Sequence, residues 1–192
     1  MSVSLTVEGG PCRGVDRREV TRRVRAMMKL LQLKEEELSI VLTRDNQIHE
    51  LNRTYRGKDR PTDVLAFSMR EGAHGALAGA LLGDVIVSLE TAERQARGRG
   101  VELLDEVTML LAHGLLHLLG WDHQTAAEDR KMRAETARLC AAAAPARPRA
   151  RASKRAGAPP LTENPSAPRP AQRRKKVASR ARAGASPRRP SR

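Results

Sequence analysis

Residues 101–123 read VELLDEVTMLLAHGLLHLLGWDH, and the fold turns on how this stretch divides into a helix and the turn that follows it. From Val101 to Leu119 nearly every face carries a large aliphatic side chain, as suits a helix at the centre of a domain, wrapped by a sheet and other helices. His113 and His117 differ by four, so both imidazoles leave one helix face a turn apart and can point at one ion. Gly120 follows three residues later, where a glycine can take a left-handed conformation, end the helix and swing the chain back. His123 then returns to the same point, completing a facial three-histidine site.

Three neutral imidazoles suit a borderline-soft divalent metal, one Zn2+ first, and leave a fourth position open for water. A structural zinc knot would need a fourth ligand, and Cys12 and Cys140 stand far apart in no paired spacing. The pattern H-x3-H-x2-G-x2-H is also that of a metzincin protease, so the expected arrangement is zincin-like. In such proteases a glutamate after the first histidine is the general base; here that position is Gly114. Zinc metallopeptidase is therefore kept as an alternative, below phosphodiester chemistry.

Working outward, Val3–Val7 alternates like an edge strand. Asp16 with Glu19 opens a helix to about Gln32, apolar along Val20, Val24, Met27, Met28 and Leu31 and arginine-rich on its other face. Leu38–Thr43 reads as a strand, and Asp45 as the cap of a helix through Ile48, Leu51 and Tyr55. Val64–Ser68 and Leu82–Ser88 are strand-like, joined by a Gly/Ala-rich hairpin loop over 70–80 that is expected to be mobile. Ser88 caps a short helix to about Arg97, and a last helix spans 126–142. The sum is an α+β domain over 1–144, a small mixed four-stranded sheet packed around the metal-bearing helix.

The 192-residue chain carries a formal net charge of +14. Residues 145–192 hold 15 of its 36 Lys+Arg, one of its 22 acids and nine of its 11 prolines, so residues 1–144 are neutral, with 21 bases and 21 acids. So few large apolar side chains cannot offset ordering entropy, and 145–192 is read as a disordered polybasic tail. Clusters such as Arg173, Arg174, Lys175 and Lys176 suit salt-dependent contact with nucleic acid, whereas the absence of an amphipathic face argues against a membrane surface. The first residues lack the pattern of a secretory signal, two scattered cysteines fit a reducing compartment, and no apolar run is long enough to span a bilayer. A cytoplasmic protein is expected.

Upstream of the third strand, Asn52-Arg53-Thr54-Tyr55-Arg56-Gly57-Lys58-Asp59-Arg60-Pro61-Thr62-Asp63-Val64-Leu65 is dense in cations and turn formers. Arg56 can clamp a phosphoryl group by two parallel hydrogen bonds, or pair at the surface with Asp59 or Asp63; composition does not separate the two. This stretch, the three-histidine segment and the Leu82-Gly83-Asp84-Val85-Ile86 strand together resemble the YbeY family of bacterial endoribonucleases, in the same order along roughly residues 3–140.

The resemblance implies a zinc-dependent enzyme cutting single-stranded RNA, with roles in 16S rRNA 3′-end maturation and in late-stage quality control of the 70S ribosome. Its partners would be the 16S rRNA precursor and the small ribosomal subunit. It implies His113, His117 and His123 as metal ligands, His113 and Arg56 in catalysis, and Arg56 with Lys58 against the RNA. Two departures stand out: Ala66-Phe67-Ser68 where the family usually has Ser-Phe-Pro, and Trp121 where tyrosine is common. Activated water would attack the phosphodiester while Arg56 balances the growing charge, or the RNA's own 2′-hydroxyl would attack instead. Three acids are candidates to support the site. Asp122 can orient a ligand histidine or cap the turn, Glu106 lies two turns before His113, and Asp84 interrupts an apolar strand. His49 and His74 lack partners at ligand spacing and are expected at the surface. A non-catalytic ribosome-binding module is the remaining alternative.

Overall fold

The computed structural model describes residues 1–8, 10, 14–71 and 75–144, so Cys12, His74 and the tail readings at 145–192, including Arg173, Arg174, Lys175 and Lys176, lie outside the described residues. The elements run β1 (Ser2–Val7), α1 (Arg17–Leu30), β2 (Glu37–Thr43), α2 (Asp45–Arg56), β3 (Val64–Ser68), β4 (Leu81–Ser88), α3 (Leu89–Arg99), α4 (Leu103–Leu118) and α5 (Ala126–Ala143), with a short 3-10 turn at Gly75–Leu77. The expected α+β class with one mixed four-stranded sheet is what these residues form. Strand order is β1-β2-β4-β3. β1, β2 and β4 are parallel, and β3 runs antiparallel to β4 with Phe67 opposite Asp84.

Strand alternation divides the apolar side chains between two faces. On one, Ile40, Leu42, Val85 and Val87 pack with Val24, Met27 and Met28 of α1 and with α4 and α5. On the other, Ile86 and Leu65 meet Ile48 of α2. The long apolar run behaves as its composition demands: ten α4 residues are buried, among them Leu110, Leu111, Leu115 and Leu116. Each such leucine contributes roughly 1.5–3 kcal/mol by leaving water. Among the described residues no helix is long and apolar enough to cross a membrane.

Local polar bonding departs from the sequence reading in two places. Asp45 is the first residue of α2 rather than its cap, because its carboxylate is taken by α3: it accepts from the Ser88 and Thr91 hydroxyls and, at 2.7 Å, from Arg94. Gln47 Oε1 accepts the Arg44 backbone N–H instead, at 3.3 Å. Arg23, expected on the arginine-rich outer face, is buried, donating to Asp105 at 2.6 Å and to the Thr108 hydroxyl at 2.9 Å and so tying α1 to α4. His49, expected at the surface, is half-exposed, with its Nε2 2.8 Å from Asp59 Oδ1.

Hydrogen bonds from Arg22, then Arg23, hold the Glu19 carboxyl down to about 2 from the usual 4.5. A carboxyl depressed by folding stabilises the fold fully above its unfolded value, and that stability drains away as pH falls from 4.5 toward 2. Glu19→Gln should lower the thermal midpoint near neutrality, with the gap from wild type closing across that acid window. A gap that persists at the acid end would contradict the assignment.

Candidate metal centre

The turn after α4 is a Schellman motif, and it sets the third histidine. Gly120 sits at φ 79, its N–H donating to the His117 carbonyl at 2.9 Å, while the Trp121 N–H donates to the Leu116 carbonyl at 3.1 Å. Asp122 then stabilises the return: Oδ1 accepts the His123 backbone N–H at 2.8 Å and Oδ2 accepts from Gln124 at 2.6 Å. Those two bonds, the first above all, hold its carboxyl below the ordinary range. Asp122 thus grips the backbone beside His123.

One ligand nitrogen from each of His113, His117 and His123 lies within 4.8 Å of the others, and among the described residues no further His, Cys, Asp or Glu joins the group. The Nε2 atoms of His113 and His117 are 3.2 Å apart. Two nitrogens sharing a zinc ion at ~2.0–2.1 Å in tetrahedral geometry stand roughly 3.4 Å apart, so the pair already has the required spacing. His117 Nδ1 lies 3.0 Å from the Trp121 carbonyl, which can only accept; the proton therefore sits on Nδ1 and the Nε2 lone pair faces the cluster. Burial is the largest influence pushing both helix-borne imidazoles below the usual histidine value. The neighbouring imidazoles add to it, while Asp63 and Asp129 pull His113 upward and the Trp121 carbonyl pulls His117 upward. Neutral, converging imidazoles fit a divalent cation.

Gly114 has a steric cause. A Cβ there would lie 2.6 Å from Val85 Cγ1 and 3.3 Å from Val64 Cγ2, because α4 rests directly on β4 and β3 at this residue. The position a peptidase gives to its glutamate holds no side chain here, and there is no room for one.

Arg56, the last residue of α2, is exposed, and its positive charge is one of the lesser influences lowering His117. Of the two readings left open, the surface ion pair is not formed. Among the described residues the Arg56 guanidinium has no hydrogen bond or ion pair, Asp59 is taken by His49, and Asp63 is taken by Gln95 at 2.9 Å and the Val64 N–H at 2.9 Å. Lys58 is exposed on the loop that follows. That loop is pinned from behind by Asn52, whose amide donates to the Arg60 carbonyl at 2.7 Å. Sequence reasoning missed Asn52 and Gln95, whose partners come from turns and packing that no spacing rule encodes.

The other two candidate acids lie apart from the cluster. Glu106 is buried in the first turn of α4, seven residues and about 10 Å along the helix from His113, and both its oxygens accept from Arg99, at 2.8 and 3.0 Å. Asp84 borders a separate groove of about 270 Å³ with Ser4 and Ser39. Ser68 donates to the Leu118 carbonyl at 3.4 Å and accepts the Arg70 N–H at 3.3 Å, which is a structural use of that hydroxyl.

A family model described as "Endoribonuclease YbeY" matches residues 13–144, a span containing Arg56 and all three histidines. The chain belongs to the YbeY endoribonuclease family. YbeY relatives similar to it include one from Aquifex aeolicus, 45% identical over 119 residues that cover 62% of this chain and 77% of the relative. Another, from Geobacter metallireducens, is 45% identical over 120 residues, covering 62% and 78% respectively. A YbeY from Anaeromyxobacter is 44% identical over 142 residues, 74% of this chain and 72% of its own length. The solution structure of a Thermotoga maritima protein shares the fold, with a TM-score of 0.51 at 23% identity over 73% of this chain and 88% of that one.

Two outcomes test the centre. Gly114→Ala should destabilise the protein by roughly 1–3 kcal/mol and weaken metal binding as α4 is lifted from β4; an unchanged midpoint would remove the packing argument. Because burial holds His113 and His117 below the usual histidine value of 6.5, proton competition at these two ligands should set in only below that pH. Calorimetric zinc titrations that weaken already above it would contradict the electrostatics described.

Proposed function

We propose that this chain is a zinc-dependent, single-strand-specific endoribonuclease that hydrolyses RNA phosphodiesters. We further propose that it acts in the cytoplasm on the 16S rRNA precursor and on the small subunit and 70S ribosome, in 3′-end maturation and late-stage quality control. The observation that carries this reading is the convergence of three imidazoles, with the exposed, unpaired Arg56 guanidinium near enough to lower His117. A fold built zincin-like around α4, a catalytic body over 1–144 and a basic tail that adds RNA contacts through Arg173, Arg174, Lys175 and Lys176 complete the proposal.

His113, His117 and His123 would hold the zinc ion, which when bound supplies electrophilic polarisation of a phosphate oxygen and acidifies water to near neutrality. The protein's own part is positional. The Trp121 carbonyl keeps the His117 proton on Nδ1, so the lone pair stays directed at the site. Arg56 presents a planar fork of donors to the scissile phosphate and neutralises the charge that grows on it in the transition state. Lys58, on the loop fixed by Asn52, lies along the RNA as a second cation. Tyr55 is 66% exposed and braced edge-to-face on Phe67 at 5.2 Å, and Trp121 is 37% exposed; both offer ring faces on which unpaired bases stack, which favours single-stranded substrate. The packed, side-chain-free position at Gly114 disfavours peptide hydrolysis, which needs a carboxylate there.

Wild type, Arg56→Glu and His117→Ala are to be compared on precursor ribosomal RNA, with end mapping and metal analysis of the same samples. Arg56→Glu should retain metal and lose about 100- to 1,000-fold in cleavage, and His117→Ala should lose both. Products should carry 5′-phosphates. Cleavage that survives in His117→Ala, or 2′,3′-cyclic phosphate ends, would overturn the water-attack proposal.

A further inference from the structure

α1 carries a feature that the histidine site does not use. Arg18, Arg22, Arg25 and Lys29 are all exposed and follow one another at four, three and four residues, which at 100° per residue confines them to one narrow stripe about 16 Å long. Val20, Val24, Met27 and Met28 occupy the opposite, buried face. Beside the stripe a groove of about 480 Å³ opens between α1 and the edge strand β1, lined by Arg17, Arg18, Thr21, Arg25 and Leu5. Arg17 spends its guanidinium on a neutral acceptor, the Leu5 carbonyl at 2.6 Å, so its charge is left uncompensated. Among the described residues the side chains of Arg18, Arg25 and Lys29 have no hydrogen bond or ion pair, and Glu19, the acid within α1, is committed to Arg22 and Arg23.

Helix stability argues against such a stripe. Arg25 and Lys29 are like charges at i,i+4, destabilising by a few tenths of a kcal/mol, and Arg17 and Arg18 oppose the dipole in the first turn, whereas the charge of Arg22 is met by Glu19. A linear polyanion removes that penalty, and a phosphodiester backbone matches both the sign and the length of the stripe. No apolar side chain stands among the four cations to enter a lipid surface.

We propose that the Arg18–Arg22–Arg25–Lys29 stripe and the adjoining groove form a second RNA-binding site, one that holds the phosphate backbone of a flanking segment. This inference rests on the reading that the substrate is RNA. α1 packs on β1 at one edge of the sheet, whereas Gly114, next to His113, rests on β3 at the other edge, so the stripe would hold a segment flanking the one at the histidines. The site acts on affinity for long RNA and leaves the chemical step alone.

The test compares the full-length zinc-loaded protein with the variant Arg18→Gln/Arg25→Gln/Lys29→Gln, whose exposed substitutions leave the core intact. A charge-keeping Arg18→Lys/Arg25→Lys variant is the control. Binding to long poly(U) is measured across salt concentrations, alongside cleavage of a short oligonucleotide that spans the histidine cluster only. The glutamine variant should lose about two from the slope of log affinity against log salt and keep its short-oligonucleotide rate, while the lysine variant keeps both. An unchanged slope overturns the proposal, as does a loss confined to phosphatidylserine vesicles. A flattened slope in a protein whose wild type never cleaves RNA would keep the stripe and reject the nuclease reading.

Discussion

The close approach of α4 to the sheet at Gly114 sets the position of both helix-borne histidines. With no side chain at that residue, which lies between His113 and His117, the helix settles onto Val85 and Val64. Protein interiors are packed densely enough that the helix cannot ride higher without losing contacts along its whole buried face. The same contact leaves no place for the carboxylate that a peptidase would need. The packing of α4 on the sheet thus depends on one absent side chain.

Three separate elements meet at the site, and each is held by its own bonds. The Schellman turn at Gly120 and the Asp122 carboxylate return His123 to the cluster. α2 delivers Arg56, and the loop after it is fixed through Asn52 to Arg60 and through Gln95 to Asp63. α2 is itself tied to α3 through Asp45, which gathers Ser88, Thr91 and Arg94. The backbone that carries Arg56 is therefore fixed by a polar network. Electrostatics follow from this placement: burial and clustered imidazoles favour the neutral form of His113 and His117, the form that binds metal.

Much of this was legible in the sequence because it is local. Period-two alternation marked the first strand, short apolar β-prone runs marked the other three, the i,i+4 histidines marked one helix face, and the glycine three residues later marked the turn. What was not legible depends on partners distant in sequence. Asp45 looks like a cap until α3, more than forty residues on, claims its carboxylate. Arg23 looks like one more surface arginine until Asp105 and Thr108 draw it inside. His49 and Asp59 pair because the loop after α2 folds back, and Glu106 turns to Arg99 rather than to an imidazole. The freedom of Arg56 could be read only once the structure showed where the nearby acids spend their charge.

The central claim is that three imidazoles grip one cation at the end of α4, and X-ray absorption at the zinc edge on the purified full-length protein tests it most directly. The account predicts about one zinc per chain, with a nitrogen and oxygen shell at ~2.0–2.1 Å and the multiple-scattering signature of imidazole rings. A sulfur shell at about 2.3 Å, or protein purified and zinc-incubated that retains no stoichiometric metal, would contradict it.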